Sequence, residues 1–277
     1  MSKSSEKVIE LLQKYISEGS LMWHKPYLTA SQANAVSKKE YNGINAFITA
    51  IVAGMEGYKS PYWGTFKQIR ELGGKLIDAK GCGVPILFYK DLEDCEEKKR
   101  FVVRHCFVFN FDLVEGVELE PLKAAAENIS TDTNAETIAK EYLNRESVNM
   151  SVCSSTPSYS PVGDSINMPA LGSFVSKEEY YSTLFHELAH STGHSKRLAR
   201  FDETATRFDS KEDYSKEELI AEITAALVCH SVGVDSQSSI KNSAAYIQGW
   251  SKYITDNTSA FVSAVNHAYK AKNLILS

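Results

Sequence analysis

The stretch that most restricts this fold is STLFHELAHSTGHSKRLAR, residues 182–200, which sets His186, Glu187, His190 and His194 within nine residues. On an α-helix, side chains four apart share a face, so His186 and His190 can hold one divalent ion between their imidazoles. Glu187 stands beside the pair, where a carboxylate can take the proton of a water attacking a carbonyl. The surroundings read as a helix: YYSTLFHELAHSTG is apolar at helical spacing and meets its stop at Gly193. Such a helix is buried on one side, open to substrate on the other, and needs a second element to complete the ligand set.

The extended motif H-E-x-x-H-x-x-G-x-x-H puts a third histidine three residues past the glycine, but Lys196 stands there. His194 follows His190 by four residues, yet the break expected at Gly193 turns it away, toward a cap or a supporting role. The stronger candidate is in YSKEELIAEITAALVC, a helix with an apolar face of Leu219, Ile220, Ile223, Ala226 and Leu227. Glu218 and Glu222 lie one turn apart on it. Glu222 has apolar neighbours and is followed by small Ala225 and Ala226, so it is the expected ligand, with Glu218 behind it or in a helix salt bridge. The expected cofactor is one Zn²⁺ per chain, with Mn²⁺ as an alternative divalent metal. The alternative for the histidines is a structural helix with surface imidazoles.

A 277-residue chain accommodates two domains. No apolar run reaches the roughly 18–20 residues of a membrane span. The start has no apolar signal core, and the five cysteines are widely spaced without a CxxC pair, so they read as small core residues. A cytoplasmic protein is expected. The net charge of −5 hides an asymmetry, because residues 1–90 hold 12 Lys+Arg against 7 Asp+Glu, whereas the remainder is acidic. A basic front and an acidic back suggest two separate tasks.

Along the chain, helices are expected over residues 4–19, over YNGINAFITAIVAGMEGY from Gly43, and over WGTFKQIRELGGKLI up to Gly73-Gly74. GVPILFYK and RFVVRHCFVFNFDLV form a hairpin across the charged turn DLEDCEEKK. Hydrophobic pattern fades between residues 121 and 134, which bounds a domain of residues 1–122 and another of residues 135–277. The second opens with a helix over 135–146, continues with a strand pair in NMSVCSSTPSYSPVGDSINMPA, and is helical to its end. The expected fold class is α+β, with a mostly helical second domain carrying a small sheet.

The first half interleaves basic and aromatic residues, as binders of single-stranded nucleic acid do. Trp23, Lys25, Tyr41, Asn45, Trp63, Lys67 and Arg70 are the candidates. The plainer reading makes Trp63 and Phe66 core, and Lys67 and Arg70 a solvated helix face.

The motifs WHKPY, YNGIN, SPYWGTFKQIRELGGKL, FVFNFDLVEGV, YSPVGDSINMP, YYSTLFHELAHSTGHSKRLAR, YSKEELIAEITAAL and YIQGW occur in one order along nearly the whole chain. This set resembles the ArdC family of antirestriction proteins. The resemblance implies an N-terminal domain that binds single-stranded DNA, a C-terminal zincin-like metallopeptidase domain, and a role on a mobile element. In related glutamate-zincins a further acid commonly follows the ligand glutamate; here Ala226 occupies that place, so that acid is missing or supplied elsewhere. The expected function is a DNA-binding metallopeptidase that hydrolyses an unknown protein substrate, Glu187 being the general base. The strand near YSPVGDSINMP is a possible edge for extended substrate, and Tyr159 a candidate for stabilising the oxyanion. The alternative is a non-catalytic binder of single-stranded DNA whose metal is structural; a third is a toxin or regulator that cleaves one DNA-bound partner.

Overall fold

The computed structural model describes residues 32–91, 101–120, 131–153, 156–200, 211–234 and 257–277, with a few positions before residue 15. The expected first helix lies largely outside the described residues; Trp23, Lys25, the turn over 92–100, the segment 121–130 and YIQGW lie outside them altogether. The chain divides into two compact units, residues 1–124 with 251–259, and residues 125–250 with 260–277. The architecture is α+β.

In the first unit a four-stranded sheet has the order β1 (Ala33–Asn34), β2 (Tyr62–Thr65), β5 (Phe101–Asn110), β4 (Val84–Asp91). Helix α1 (Gly43–Glu56) packs on β4. Asn42 caps its start by accepting from the Gly43 N–H, and Gly57 ends it at φ 73°, a left-handed conformation that glycine adopts without strain. The expected third helix is shorter than its sequence pattern. Tyr62–Thr65 is a strand, and α2 (Phe66–Glu71) begins only at a capping box in which Thr65 and Gln68 bond each other's backbone N–H. The β4–β5 hairpin forms as expected, with Val84 opposite Val108 and Leu87 opposite His105. A small ribbon of β3 (Lys75–Leu76) and β6 (Val114–Glu115) closes over α2, so tightly that a Cβ on Gly74 would sit 2.7 Å from a Val114 methyl.

The second unit starts with α3 (Thr131–Arg145) and then a sheet of β7 (Asn149–Cys153), β9 (Ser165–Pro169) and β8 (Ser158–Ser160), in that order. The expected strand pair is therefore three strands, β7 parallel and β8 antiparallel to central β9. Helix α4 (Lys177–Ser191), capped by Ser176, packs on β8, β9, α3 and α5 (Lys211–Ser231). Helix α6 is Thr258–Leu276. Tyr142, Ile166, Met168, Phe185, Leu188 and Val228 are the heart of this core. Ala226, expected on the apolar face of α5, is exposed, while Glu217 is buried instead. Cys229 is buried, and Cys82 and Cys106 are partly exposed. Among the described residues, no helix is long and apolar enough to cross a membrane.

Candidate metal centre

Helix α4 carries His186 and His190 one turn apart, their Nε2 atoms 3.1 Å from each other. From α5, the Glu218 carboxylate comes within 3.6 Å of both of these nitrogens, one oxygen to each. The three side chains converge within 4.8 Å. On their far sides the rings meet two other acids: His190 Nδ1 lies 3.4 Å from Glu217 Oε1, and His186 Nδ1 lies 3.6 Å from Glu222 Oε1. Protons on both Nδ1 atoms would satisfy those acids and leave two lone pairs and a carboxylate facing one point. That donor set, two imidazoles and a carboxylate, fits a divalent cation.

On α5, Glu218 converges with the two Nε2 atoms, whereas Glu222, the expected ligand, faces His186 from its Nδ1 side. His194 is buried beyond the end of α4, its Nδ1 accepting from the Lys196 N–H at 3.2 Å, and is not among the converging groups.

Glu187 is buried beside the pair, and burial raises its carboxyl above the ordinary range against the lowering effect of His190 and His186. It accepts a hydrogen bond from the backbone N–H of Tyr159 on β8, which ties the motif helix to the sheet. Burial would also lower His186, but the carboxylates of Glu218, Glu222 and Glu187 outweigh it and raise the imidazole.

Tyr159 does not present its hydroxyl for an oxyanion. It donates to Asp164 Oδ1 at 2.8 Å and accepts from Arg197 Nη2 at 3.3 Å, and burial and the Asp164 bond raise the phenol. Arg197, 2% exposed, pairs with Asp164 and donates through Nε to the Ser191 carbonyl at 2.7 Å. Burial alone would raise the Asp164 carboxyl, but the bonds from Arg197 and Tyr159 hold it below its usual range. Arg200 grips Glu217 with a two-point fork, Nε at 2.9 Å and Nη2 at 2.6 Å. Sequence reasoning missed Arg197, Arg200, Asp164 and Glu217. The signal was two arginines three apart just past the glycine of the histidine motif, and a second glutamate adjoining Glu218.

The nucleic-acid candidates separate in the first unit. Trp63 is fully buried and donates its indole N–H to Gln32 at 2.6 Å, so it is core and not a stacking platform. Asn45 exchanges two hydrogen bonds with the Leu87 backbone, at 2.6 and 2.8 Å, which occupies its amide. Tyr41 turns its hydroxyl inward beside Asn34, and burial raises the phenol. Lys67 and Arg70 are exposed on α2. With them is Phe66, core in the plainer reading but 55% exposed, with the Arg70 guanidinium 5.9 Å from its ring centre.

Residues 2–143 match the family model of the N-terminal domain of the anti-restriction factor ArdC, and residues 137–267 that of a zincin-like metallopeptidase. The fold is similar to the crystal structure of the antirestriction protein ArdC from plasmid R388 in its Mn(II)-bound form. That likeness is at 30% identity with a TM-score of 0.77, over 98% of this chain and 96% of that one. The metal-free form of the same protein gives 29% identity and a TM-score of 0.75, over 99% and 97% of the two chains. Two DNA primases TraC of Escherichia coli are 28% and 29% identical over 98% of this chain, which spans only 20% and 27% of their lengths. With the N-terminal match alone covering half of its residues, the chain belongs to the ArdC family of antirestriction proteins, its second half a zincin-like domain.

Proposed function

We propose that this antirestriction-family protein, acting in the cytoplasm on behalf of a mobile element, is a metal-dependent peptidase joined to a binder of single-stranded DNA. The observation that carries the peptidase half is the convergence of His186, His190 and Glu218 within 4.8 Å, with Glu187 buried beside them. His186, His190 and Glu218 hold the ion, and Glu222 accepts from the far side of His186. When bound, a divalent cation supplies Lewis acidity, making a water more acidic and a carbonyl more electrophilic. Glu187 takes one proton from the attacking water as its oxygen joins the carbonyl carbon. It then delivers that proton to the amine nitrogen as the C–N bond breaks. The donor set favours Zn²⁺; the Mn(II)-bound form of the R388 ArdC protein supports Mn²⁺ as the second choice.

The DNA half is supported by the basic balance of residues 1–90 and by the exposed Phe66, Lys67 and Arg70 on α2. A ring open to solvent beside cations is what stacking on an unpaired base requires. The family match to ArdC and the likeness to DNA primases point the same way.

Metal analysis with a proteolysis assay, run with and without single-stranded DNA, tests the reading. The wild type should carry about one metal per chain, His186→Ala/His190→Ala almost none, and Glu187→Gln should keep the metal. Hydrolysis by Glu187→Gln should fall about 10²–10⁴-fold. Full metal content in the double histidine variant would sink the metal centre. Metal without any Glu187-dependent cleavage would favour the non-catalytic reading, in which the ion is structural.

A further inference from the structure

We propose that Glu217, held by Arg200, is a positioning residue that fixes the tautomer of His190: it takes the Nδ1 proton as partner and leaves the Nε2 lone pair for a cation. This rests on the metal-centre reading above and adds to it a buried acid that neither holds the ion nor touches substrate. The Glu217 and Arg200 side chains are only 5% and 4% exposed. A buried ion pair loses so much hydration that apolar residues of the same volume often serve stability equally well. Its retention here calls for another purpose, and its surroundings supply one.

Glu217 Oε1 receives Arg200 Nη2 at 2.6 Å and faces His190 Nδ1 at 3.4 Å, so one oxygen is shared between guanidinium and imidazole. The remaining Arg200 donors reach the last turn of α4, Nη1 to Thr192 Oγ1 and Nη2 to the Ala189 carbonyl, each at 2.8 Å. One guanidinium therefore fixes the carboxylate and the backbone flanking the histidine that the carboxylate faces. The chain delivers Arg200 by folding back on the helix end. The Leu198 N–H reaches the Thr192 carbonyl at 3.0 Å and the Arg200 N–H reaches the Gly193 carbonyl at 2.8 Å, with Ala199 in the left-handed region at φ 47°. Glu222 stands in a similar relation to His186 Nδ1, at 3.6 Å, but with a side chain 35% exposed it is not clamped in this way. A neutral imidazole carries its proton on one nitrogen, and the acceptor at Nδ1 decides which. The converging geometry at the two Nε2 atoms then follows from a partner on the opposite side of the ring.

The test uses the full chain. In metal-free wild type labelled with ¹⁵N-histidine, at a pH where the imidazoles are neutral, ring nitrogen shifts should report His190 as the Nδ1–H tautomer. The Nε2–H tautomer would overturn the proposal whatever the variants do. The double variant Glu217→Leu/Arg200→Met replaces the buried pair with apolar groups and should keep its fold. Its Zn²⁺ affinity, read by competition with a chromophoric chelator, should drop about 10–100-fold. The Co²⁺ absorption spectrum should change with it. A folded double variant with wild-type affinity and spectrum would make the pair merely structural; if the variant does not fold, the wild-type tautomer decides. Should wild type bind Zn²⁺ no better than His186→Ala/His190→Ala, the metal centre itself fails, which is a separate outcome.

Discussion

Asn45 and Glu217 both face inward from a helix, one in each unit, and they serve different ends. Asn45 is neutral and completes the backbone of a strand, giving and accepting one hydrogen bond with Leu87. Glu217 is charged, sits in an arginine fork and faces a histidine. The same contrast runs through their neighbourhoods. Among the described residues, the buried polar groups of the first unit, Gln32, Thr49 and Asn110, are uncharged, whereas the second unit buries Glu187 and Glu217 and encloses Arg197 and Arg200. Burying a charge costs far more than burying an amide. On the function proposed above, the first unit would act through its surface and the second through groups it encloses.

If that division holds, the largest effects should come from the two interiors. Trp63→Ala should cost about 3–5 kcal/mol of stability in urea unfolding, because it removes a fully buried ring and its hydrogen bond to Gln32. Phe66→Ala, by contrast, should leave stability almost unchanged and weaken single-stranded DNA by about 1–3 kcal/mol. A Trp63→Ala protein of normal stability with impaired DNA binding would reverse the two roles.

Arg197→Met should cost somewhat less, about 2–4 kcal/mol, since it leaves the partly buried Asp164 without its cation. Arg197→Met/Asp164→Asn should recover much of the loss. The pH dependence follows from the direction of the Asp164 shift. A carboxyl held below its unfolded value contributes stability that is complete above that value and lost as pH falls through the folded one. Circular dichroism of metal-free Asp164→Asn should thus show a flatter acid limb below about pH 4 than wild type. An unchanged limb would mean that Asp164 carries no such linkage.

Asn45→Ala comes next, at about 1–3 kcal/mol, for it leaves a strand N–H and carbonyl without partners. A loss of DNA affinity in a variant that melts like wild type would return Asn45 to the binding surface.

What the sequence disclosed follows the same contrast. Short-range patterns were readable: the i, i+4 histidines, the helix start at Gly43 and the β4–β5 hairpin all depend on residues near each other in the chain. The positions of Glu218 and Glu222 were not, because both lie on one face of α5 and only packing against α4 decides which ring nitrogens each one faces. Trp63 misled for the opposite reason: the capping box at Thr65 converts an apparent helix into a strand followed by a short helix, moving the indole inward and Phe66 outward. The parallel pairing of β7 with β9 was hidden because alternation reveals a strand's faces and not its partner's direction.

The smallest expected effect is also the sharpest test of the outer surface. Lys67 has a side chain 85% exposed and stands 3.7 Å from Glu71, itself 59% exposed. An ion pair so open to water is worth little, so Lys67→Ala should change stability by no more than about 0.5 kcal/mol. If its ammonium displaces a counterion from a phosphate, the slope of log affinity against log salt should become shallower by about 0.7 for single strands. The loss should be similar for every base sequence, since a phosphate contact carries no sequence information. Phe66→Ala should behave in the complementary way, lowering affinity while leaving the salt slope nearly intact, because stacking releases no counterion. Identical slopes for wild type and Lys67→Ala would take this lysine off the binding surface, and the basic balance of residues 1–90 would then have to act through other side chains.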